Sequence, residues 1–122
     1  MIENGSIERM AEKGVSRPPE DGTRRRMKIG FFVIAYNAEA HIEQTLSRIP
    51  ADVWEEIQTV YVVDDCSTDD TVKLAVSLQG KYPKLNVLRN RVNRRYGGNQ
   101  KFGYQYAIDH DLDVVVLLHA DG

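Results

Sequence analysis

The sequence predicts an α/β fold, a Rossmann-like parallel sheet with helices on its faces. Three observations lead there. Short, uninterrupted apolar runs recur along the chain, rich in β-branched residues, as in strands buried on both faces. Segments with apolar residues at helical spacing lie between them. Each such segment is long enough for a crossover helix, and strand–crossover–strand units build parallel sheets.

The elements follow in order. Residues 29–35 (IGFFVIA) are a continuous apolar run and form the first strand. Ile42, Leu46 and Ile49 recur at helical spacing, and Pro50 ends that helix. Residues 59–65 (TVYVVDD) are the second strand. Ser67 with Asp70 reads as a capping box, and Val72, Ala75 and Val76 give the next helix its inner face. Residues 85–90 (LNVLRN) are the third strand. Gly97-Gly98 opens a helix with Phe102, Tyr106 and Ala107 on one face, and residues 113–119 (DVVVLLH) are the fourth strand. The predicted order is β-α-β-α-β-α-β.

Residues 1–27 stand apart. They are polar, contain Pro18-Pro19 and lack sustained periodicity, so they read as a flexible tail ahead of a domain at 28–122. Arg24, Arg25 and Arg26 read as a solvated basic patch. A chain of 122 residues is one domain at most. Its net charge of −2 gives no basic field for nucleic acid. Cys66 is the only cysteine, so no internal disulfide forms, which suits a reducing compartment and a cytoplasmic location. No apolar run is long enough to span a bilayer, and no signal-peptide pattern follows Met1.

Ligands of open α/β sheets bind beyond the carboxyl ends of the strands. Those ends carry Ala35-Tyr36-Asn37 with Glu39, then Asp64-Asp65-Cys66-Ser67-Thr68, then Asn90 through Lys101, then His119-Ala120-Asp121. Singly, each has an ordinary structural explanation. Asp64-Asp65 could cap a helix, Gly97-Gly98 could be a plain loop, Arg94, Arg95 and Lys101 could be solvated, His119 could be a satisfied rim histidine, and Tyr36 could only pack. Together they place polar groups on one rim from all four strands. The glycine pair matches neither GxGxxG nor GxxxxGK[ST], which argues against those nucleotide folds. A nucleoside diphosphate needs a flat surface for its base, an acceptor for the base N–H edge, a cation for its phosphates, and hard oxygen ligands for a bridging metal. Tyr36, Asp65, Lys101 and Asp121 meet those needs in order.

Four pieces then carry a resemblance: VIAYNAEAHI (33–42), VYVVDDCSTDDT (60–71), YGGNQKFGYQYAI (96–108) and VVVLLHADG (114–122). In this order they resemble the N-terminal nucleotide-binding half of family-2 glycosyltransferases, and within these the dolichyl- or polyprenyl-phosphate mannosyltransferase-like group. VVDDCSTDDT is similar to the family's VVDDGSTDGT signature. The resemblance implies a GT-A-type fold and inverting transfer of a sugar from a GDP- or UDP-linked donor to an acceptor such as a polyprenyl or dolichyl phosphate, at the cytoplasmic membrane face. By this resemblance Ala35, Tyr36 and Glu39 line the base and ribose, Asp65 takes the base N–H edge beside Asp64, and Lys101 stands near the diphosphate. Asp121 closes the family's DxD motif and holds Mg²⁺ or Mn²⁺, which stabilises the leaving diphosphate.

The sequence departs from the family pattern in places. His119 replaces the first aspartate of that motif, and imidazole suits Mn²⁺ better than Mg²⁺. Ile34 stands where many relatives have proline. Cys66 replaces the glycine of the DDGS turn, so the turn must avoid a positive φ or bear strain. The resemblance places the acceptor half and the general base beyond Gly122, so these residues alone would bind a nucleotide without completing transfer. An open apolar sheet edge would then favour self-association. Two other functions compete. One is a non-catalytic nucleotide-binding module, which metal dependence of binding distinguishes. The other is a receiver-type signalling domain, whose acidic pair should follow the first strand rather than the second.

Overall fold

The computed structural model describes residues 7–11 and 27–121. Five strands form one sheet: β1 (Ile7–Ala11), β2 (Ile29–Ala35), β3 (Thr59–Asp64), β4 (Leu85–Asn90) and β5 (Val114–His119). Their spatial order is β1-β4-β3-β2-β5. The pairs β2–β3, β3–β4 and β2–β5 are parallel, as the alternating pattern predicts, and β1 pairs with β4 antiparallel. The helices are α1 (Ile42–Ser47), α2 (Ala51–Glu56), α3 (Thr71–Ser77), which runs into a 3-10 turn, and α4 (Arg95–Asp109).

Three elements differ from the sequence expectation. Ile7–Ala11 falls in the expected tail, yet it is a strand, in register from Ile7 opposite Asn90 with an irregularity between Arg9 and Ala11. Without it β4 would be a sheet edge, whose row of free N–H and C=O groups can pair with any extended backbone regardless of side-chain pattern. The arginine run at 24–26 lies outside the described residues. Pro50 does end the first helix, but it also starts α2 as its N-cap, with φ −61° and ψ 152°. Proline suits a helix start because its missing N–H would have no helical partner there. Ser67 and Asp70 do not form a capping box: Asp70 precedes α3 with no side-chain cap bond. The Ser67 hydroxyl donates instead to Asp64, and the Thr71 N–H is satisfied by Asp69 Oδ1 at 3.0 Å. A buried carboxylate is the stronger acceptor, and it takes Ser67 away from the helix end.

Side chains alternate across the sheet. Val33, Ala35, Val60, Val62, Leu85 and Val87 pack on one face with Ile42, Leu46 and Ala75 of α1 and α3. Phe32, Ile34, Tyr61, Val63 and Leu88 pack on the other with Phe102 and Tyr106 of α4. Burial on both faces is why the strands read as unbroken apolar runs. On the α4 face the Phe32 and Tyr61 rings stack at 5.2 Å between centroids. The buried Tyr61 hydroxyl donates to the Gly103 carbonyl at 2.8 Å, and burial pushes the phenol pKa up. Helix α4 approaches so closely that a Cβ on Gly103 would stand 2.0 Å from the Phe32 ring.

The strand order positions the site. From β2 the chain steps to β3 and then β4, and α4 carries it back to β5 on the far side of β2. The direction of winding therefore reverses at β2, and the crevice at its carboxyl end is the topological switch point. Strand β5 leaves Val114 and Val116 exposed, as expected of an open apolar edge.

Candidate functional site

A cavity of about 490 Å³ opens at this rim, lined by Ile34, Tyr36, Asp65, Asn93, Arg95 and Asn99. That size suits a small-molecule ligand. Its walls come from the ends of β2, β3 and β4 and the start of α4, and it combines an exposed aromatic ring with a buried carboxylate.

Asp65 is 4% exposed. Its Oδ1 accepts from Asn90 Nδ2 at 2.9 Å and from the Arg94 N–H at 2.7 Å. Its own N–H donates to the Ala35 carbonyl at 2.9 Å, and its carbonyl accepts from Asn93 Nδ2 at 3.2 Å. Both side-chain bonds fall on Oδ1, which leaves Oδ2 as the acceptor for a ligand. A second layer of amides holds this arrangement. Asn90 Nδ2 also donates to Asn99 Oδ1 at 2.8 Å, and Asn99 Nδ2 donates to the Val63 carbonyl at 3.1 Å. Asn90 and Asn99 are buried, and these bonds tie β3, β4 and α4 together beneath the cavity, although the Asn90 Oδ1 itself has no partner among the described residues.

The loops after β2 and β3 are clasped at a second point. Asp64 is fully buried and accepts from the Ser67 N–H at 2.9 Å and from the Ser67 hydroxyl. Ser67 Oγ in turn accepts the Asn37 N–H at 2.8 Å, and Asn37 Oδ1 accepts the Thr68 N–H at 2.8 Å. Desolvation raises the Asp64 pKa, against the lowering effect of the Ser67 hydrogen bonds and the Arg89 charge. Asp69 goes the other way. Desolvation would raise it, but hydrogen bonds from the Thr71 hydroxyl and N–H and the Glu39 N–H outweigh that and hold it below the usual carboxylate range.

Three residues on this rim have positive φ without being glycine: Asn37 at 47°, Cys66 at 63° and Arg95 at 62°. They follow β2, β3 and β4 in turn. Asparagine tolerates this region, whereas for other L-residues it costs roughly 1–2 kcal/mol. The Cys66 turn thus bears strain at the position where the DDGS signature has glycine.

The structure separates the residues that the sequence groups together. Tyr36 and Asp65 line the cavity. Ala35 lies beneath it and contributes its carbonyl to the Asp65 N–H. Asp64 is structural in its contacts. Glu39 faces the loop after β3: its N–H donates to Asp69 Oδ2 at 3.2 Å and its Oε1 accepts the Asp70 N–H at 3.1 Å. Lys101 stands exposed in the second turn of α4, outside the cavity lining. His119 and Asp121 are exposed at the end of β5 and also lie outside the lining. The sequence places Asn90, Asn93, Asn99 and Arg95 on the rim but gives no sign that the amides bury or that Arg95 turns to the cavity. The only available signal is the recurrence of asparagine just after an apolar strand.

Among the described residues, no three His, Cys, Asp or Glu side chains cluster to hold a metal ion. Asp121 offers one hard oxygen ligand and His119 one imidazole. That donor set fits a divalent cation only when a ligand's phosphate oxygens complete the shell. No helix among the described residues is long and apolar enough to cross a membrane.

Residues 31–122 match the model of glycosyl transferase family 2. The chain belongs to that family. Among curated relatives, it is 30% identical over 96 residues to an undecaprenyl-phosphate mannosyltransferase of Micrococcus luteus, covering 79% of this chain and 39% of the relative. It is 33% identical over 78 residues to the dTDP-rhamnosyl transferase RfbG of Shigella flexneri, covering 64% of this chain and 26% of the relative. Among solved structures, TarS of S. aureus superposes with a TM-score of 0.62 at 28% identity, over 78% of this chain and 17% of TarS. The chain therefore spans well under half the length of these relatives. Its four parallel strands and flanking helices match the GT-A glycosyltransferase fold.

Proposed function

We propose that this chain forms the donor-binding region of a glycosyltransferase that transfers a sugar, with inversion, from a nucleotide-sugar. The observation that carries this reading is the cavity at the carboxyl ends of β2, β3 and β4 with Asp65 in its wall. A carboxylate with one oxygen fixed by the protein and the other left for a ligand suits the N–H edge of a pyrimidine or purine base. Tyr36 offers an exposed ring on which a base can lie. The donor is GDP-, UDP- or dTDP-linked; the last class enters because the Shigella flexneri relative is named for it. The acceptor is a polyprenyl phosphate, an assignment supported by the name of the Micrococcus luteus relative, and it would place the parent enzyme at the cytoplasmic membrane face. Asp121, with His119 beside it, would hold Mg²⁺ or Mn²⁺ together with the donor's phosphates. Bound there, the cation would draw charge from the leaving diphosphate.

A binding-only role is favoured by one observation, the lack of a three-ligand cation cluster among the described residues. Metal dependence of nucleotide binding separates the two readings. Membership of the family removes the receiver-domain reading. Calorimetry with UDP, GDP and dTDP tests the donor site. Asp65→Asn should weaken the nucleotide that binds by roughly tenfold or more, since hydrogen bonds to a charged group contribute about 1.5–3 kcal/mol. Unchanged affinity in a folded Asp65→Asn variant would remove Asp65 from the site.

A further inference from the structure

The family resemblance directs attention to Lys101 for phosphate recognition, but the geometry points elsewhere. We propose that Arg95 reads the phosphate charge of the ligand and so sets the cavity's preference for a nucleoside diphosphate over its nucleoside. The inference rests on the nucleotide-binding reading and goes beyond it by naming the cation and its selectivity.

Four observations converge on Arg95. First, it lines the same cavity as Tyr36 and Asp65, whereas Lys101 does not. The lining of the cavity thus includes a buried aspartate and an exposed arginine. A ligand that matches both has N–H donors at one end and an anionic group at the other, as a nucleotide does. Second, Arg95 holds a φ of 62°, a conformation that favours glycine. Backbone strain at a cavity wall is a pointer to function when packing does not explain it. Packing does not explain it here: the Arg95 side chain is exposed, and its guanidinium makes no hydrogen bond among the described residues.

Third, two hydrogen bonds hold the backbone that leads into the strained residue. The Arg94 N–H is held by Asp65 Oδ1 at 2.7 Å, and the Arg95 N–H by Asn93 Oδ1 at 2.8 Å. Two cavity-lining side chains therefore set the backbone from which the guanidinium projects. A base docked on Asp65 and a phosphate docked on Arg95 would be registered by one rigid turn. Fourth, Gly97 lies in the first turn of α4, where a Cβ would meet nothing within 4 Å and no positive φ calls for glycine. The first turn itself contains no acidic side chain, and the Asp65 carboxylate engages the helix only at the Arg94 N–H ahead of that turn. The open space leaves room for an anion beside the backbone next to Arg95.

The test is calorimetric titration of UDP, GDP and dTDP and of uridine, guanosine and thymidine into wild type and into Arg95→Ala, Arg95→Gly, Arg95→Lys and Lys101→Ala. For whichever diphosphate binds wild type, Arg95→Ala should lose tenfold or more in affinity. The matching nucleoside should bind as before, and the slope of log K against log salt should become shallower. Arg95→Gly relieves the strained φ, so it should be at least as stable as wild type and yet lose the same affinity; this separates charge recognition from folding. Arg95→Lys should keep part of the preference. The proposal is overturned if the Arg95 variants bind the diphosphate as wild type does, if they lose nucleoside and diphosphate in equal proportion, or if Lys101→Ala alone removes the preference. If wild type binds none of the six compounds, it is the nucleotide reading itself that fails, which is a different result from any of these.

Discussion

Gly103→Ala should destabilise the fold by about 2–3 kcal/mol, and the size follows from one contact. A Cβ at this position would stand 2.0 Å from two Phe32 ring carbons and 2.6 Å from a third. Carbon atoms pack at about 3.5–4.0 Å, so helix and ring must separate by roughly 1.5 Å. Phe32 cannot yield cheaply, because it is fully buried, stacks on Tyr61, and meets the Tyr104 ring edge-on at 5.9 Å. Overpacking of this kind costs roughly 1–3 kcal/mol. Moving α4 also pulls the Gly103 carbonyl from the Tyr61 hydroxyl, and a buried hydroxyl without a partner costs about 1–3 kcal/mol. Against this, alanine gains about 1 kcal/mol over glycine in a helix interior. Urea unfolding read by circular dichroism measures the difference. Gly97→Ala on the same helix is the control, since it meets nothing and should be neutral or stabilising by up to about 1 kcal/mol. An unchanged or raised midpoint for Gly103→Ala would refute the close approach of α4 to β2.

Other outcomes follow from the same contacts. Cys66→Gly should raise stability by up to about 1 kcal/mol in thermal unfolding, because relief of the positive φ exceeds the extra chain entropy of glycine. Asn99→Ala should cost about 1–3 kcal/mol in urea unfolding, since it removes one of the two acceptors of the buried Asn90 amide and a side-chain donor to the Val63 carbonyl. Asp64 has a raised pKa in the folded state, so its contribution to stability is fullest below its unfolded pKa and is lost as pH rises through the folded value. Asp69 is lowered, so its contribution is present above its unfolded pKa and is lost as pH falls through the folded value. Stability profiles of Asp64→Asn and Asp69→Asn across the acidic range should therefore diverge from wild type with opposite slopes. The exposed Val114 and Val116 of β5 should drive self-association; Val116→Lys should shift sedimentation towards monomer, and a monodisperse wild-type monomer would count against this.

The sheet was legible because its central strands are buried on both faces, and Phe31–Ala35 or Val60–Val63 cannot be read as anything but apolar runs. The pairing of β1 was not legible, since backbone hydrogen bonds at an edge leave no side-chain pattern. Helix α2 was hidden because Pro50 reads as a stop, although it serves equally as a start. At the site, Tyr36 and Asp65 were readable from their place at strand ends. Arg95 and Lys101 were not separable by sequence. Both are cations near the start of one helix, and which one meets the cavity depends on a single left-handed residue and on two side-chain bonds to the preceding turn. The competition for Ser67 was equally invisible, because a capping box and a buried Asp64 clasp use the same residues.

The most direct test of the donor-site account is an amide NMR titration of the isotope-labelled chain with UDP, GDP and dTDP, with and without Mn²⁺. We expect one nucleotide to shift Tyr36, Asp65, Asn93, Arg95 and Asn99, and Mn²⁺ to broaden resonances near Asp121 only when that nucleotide is present. A well-dispersed spectrum that does not move, or shifts confined to the second cavity beside Trp54 and Tyr82 at about 470 Å³, would contradict it.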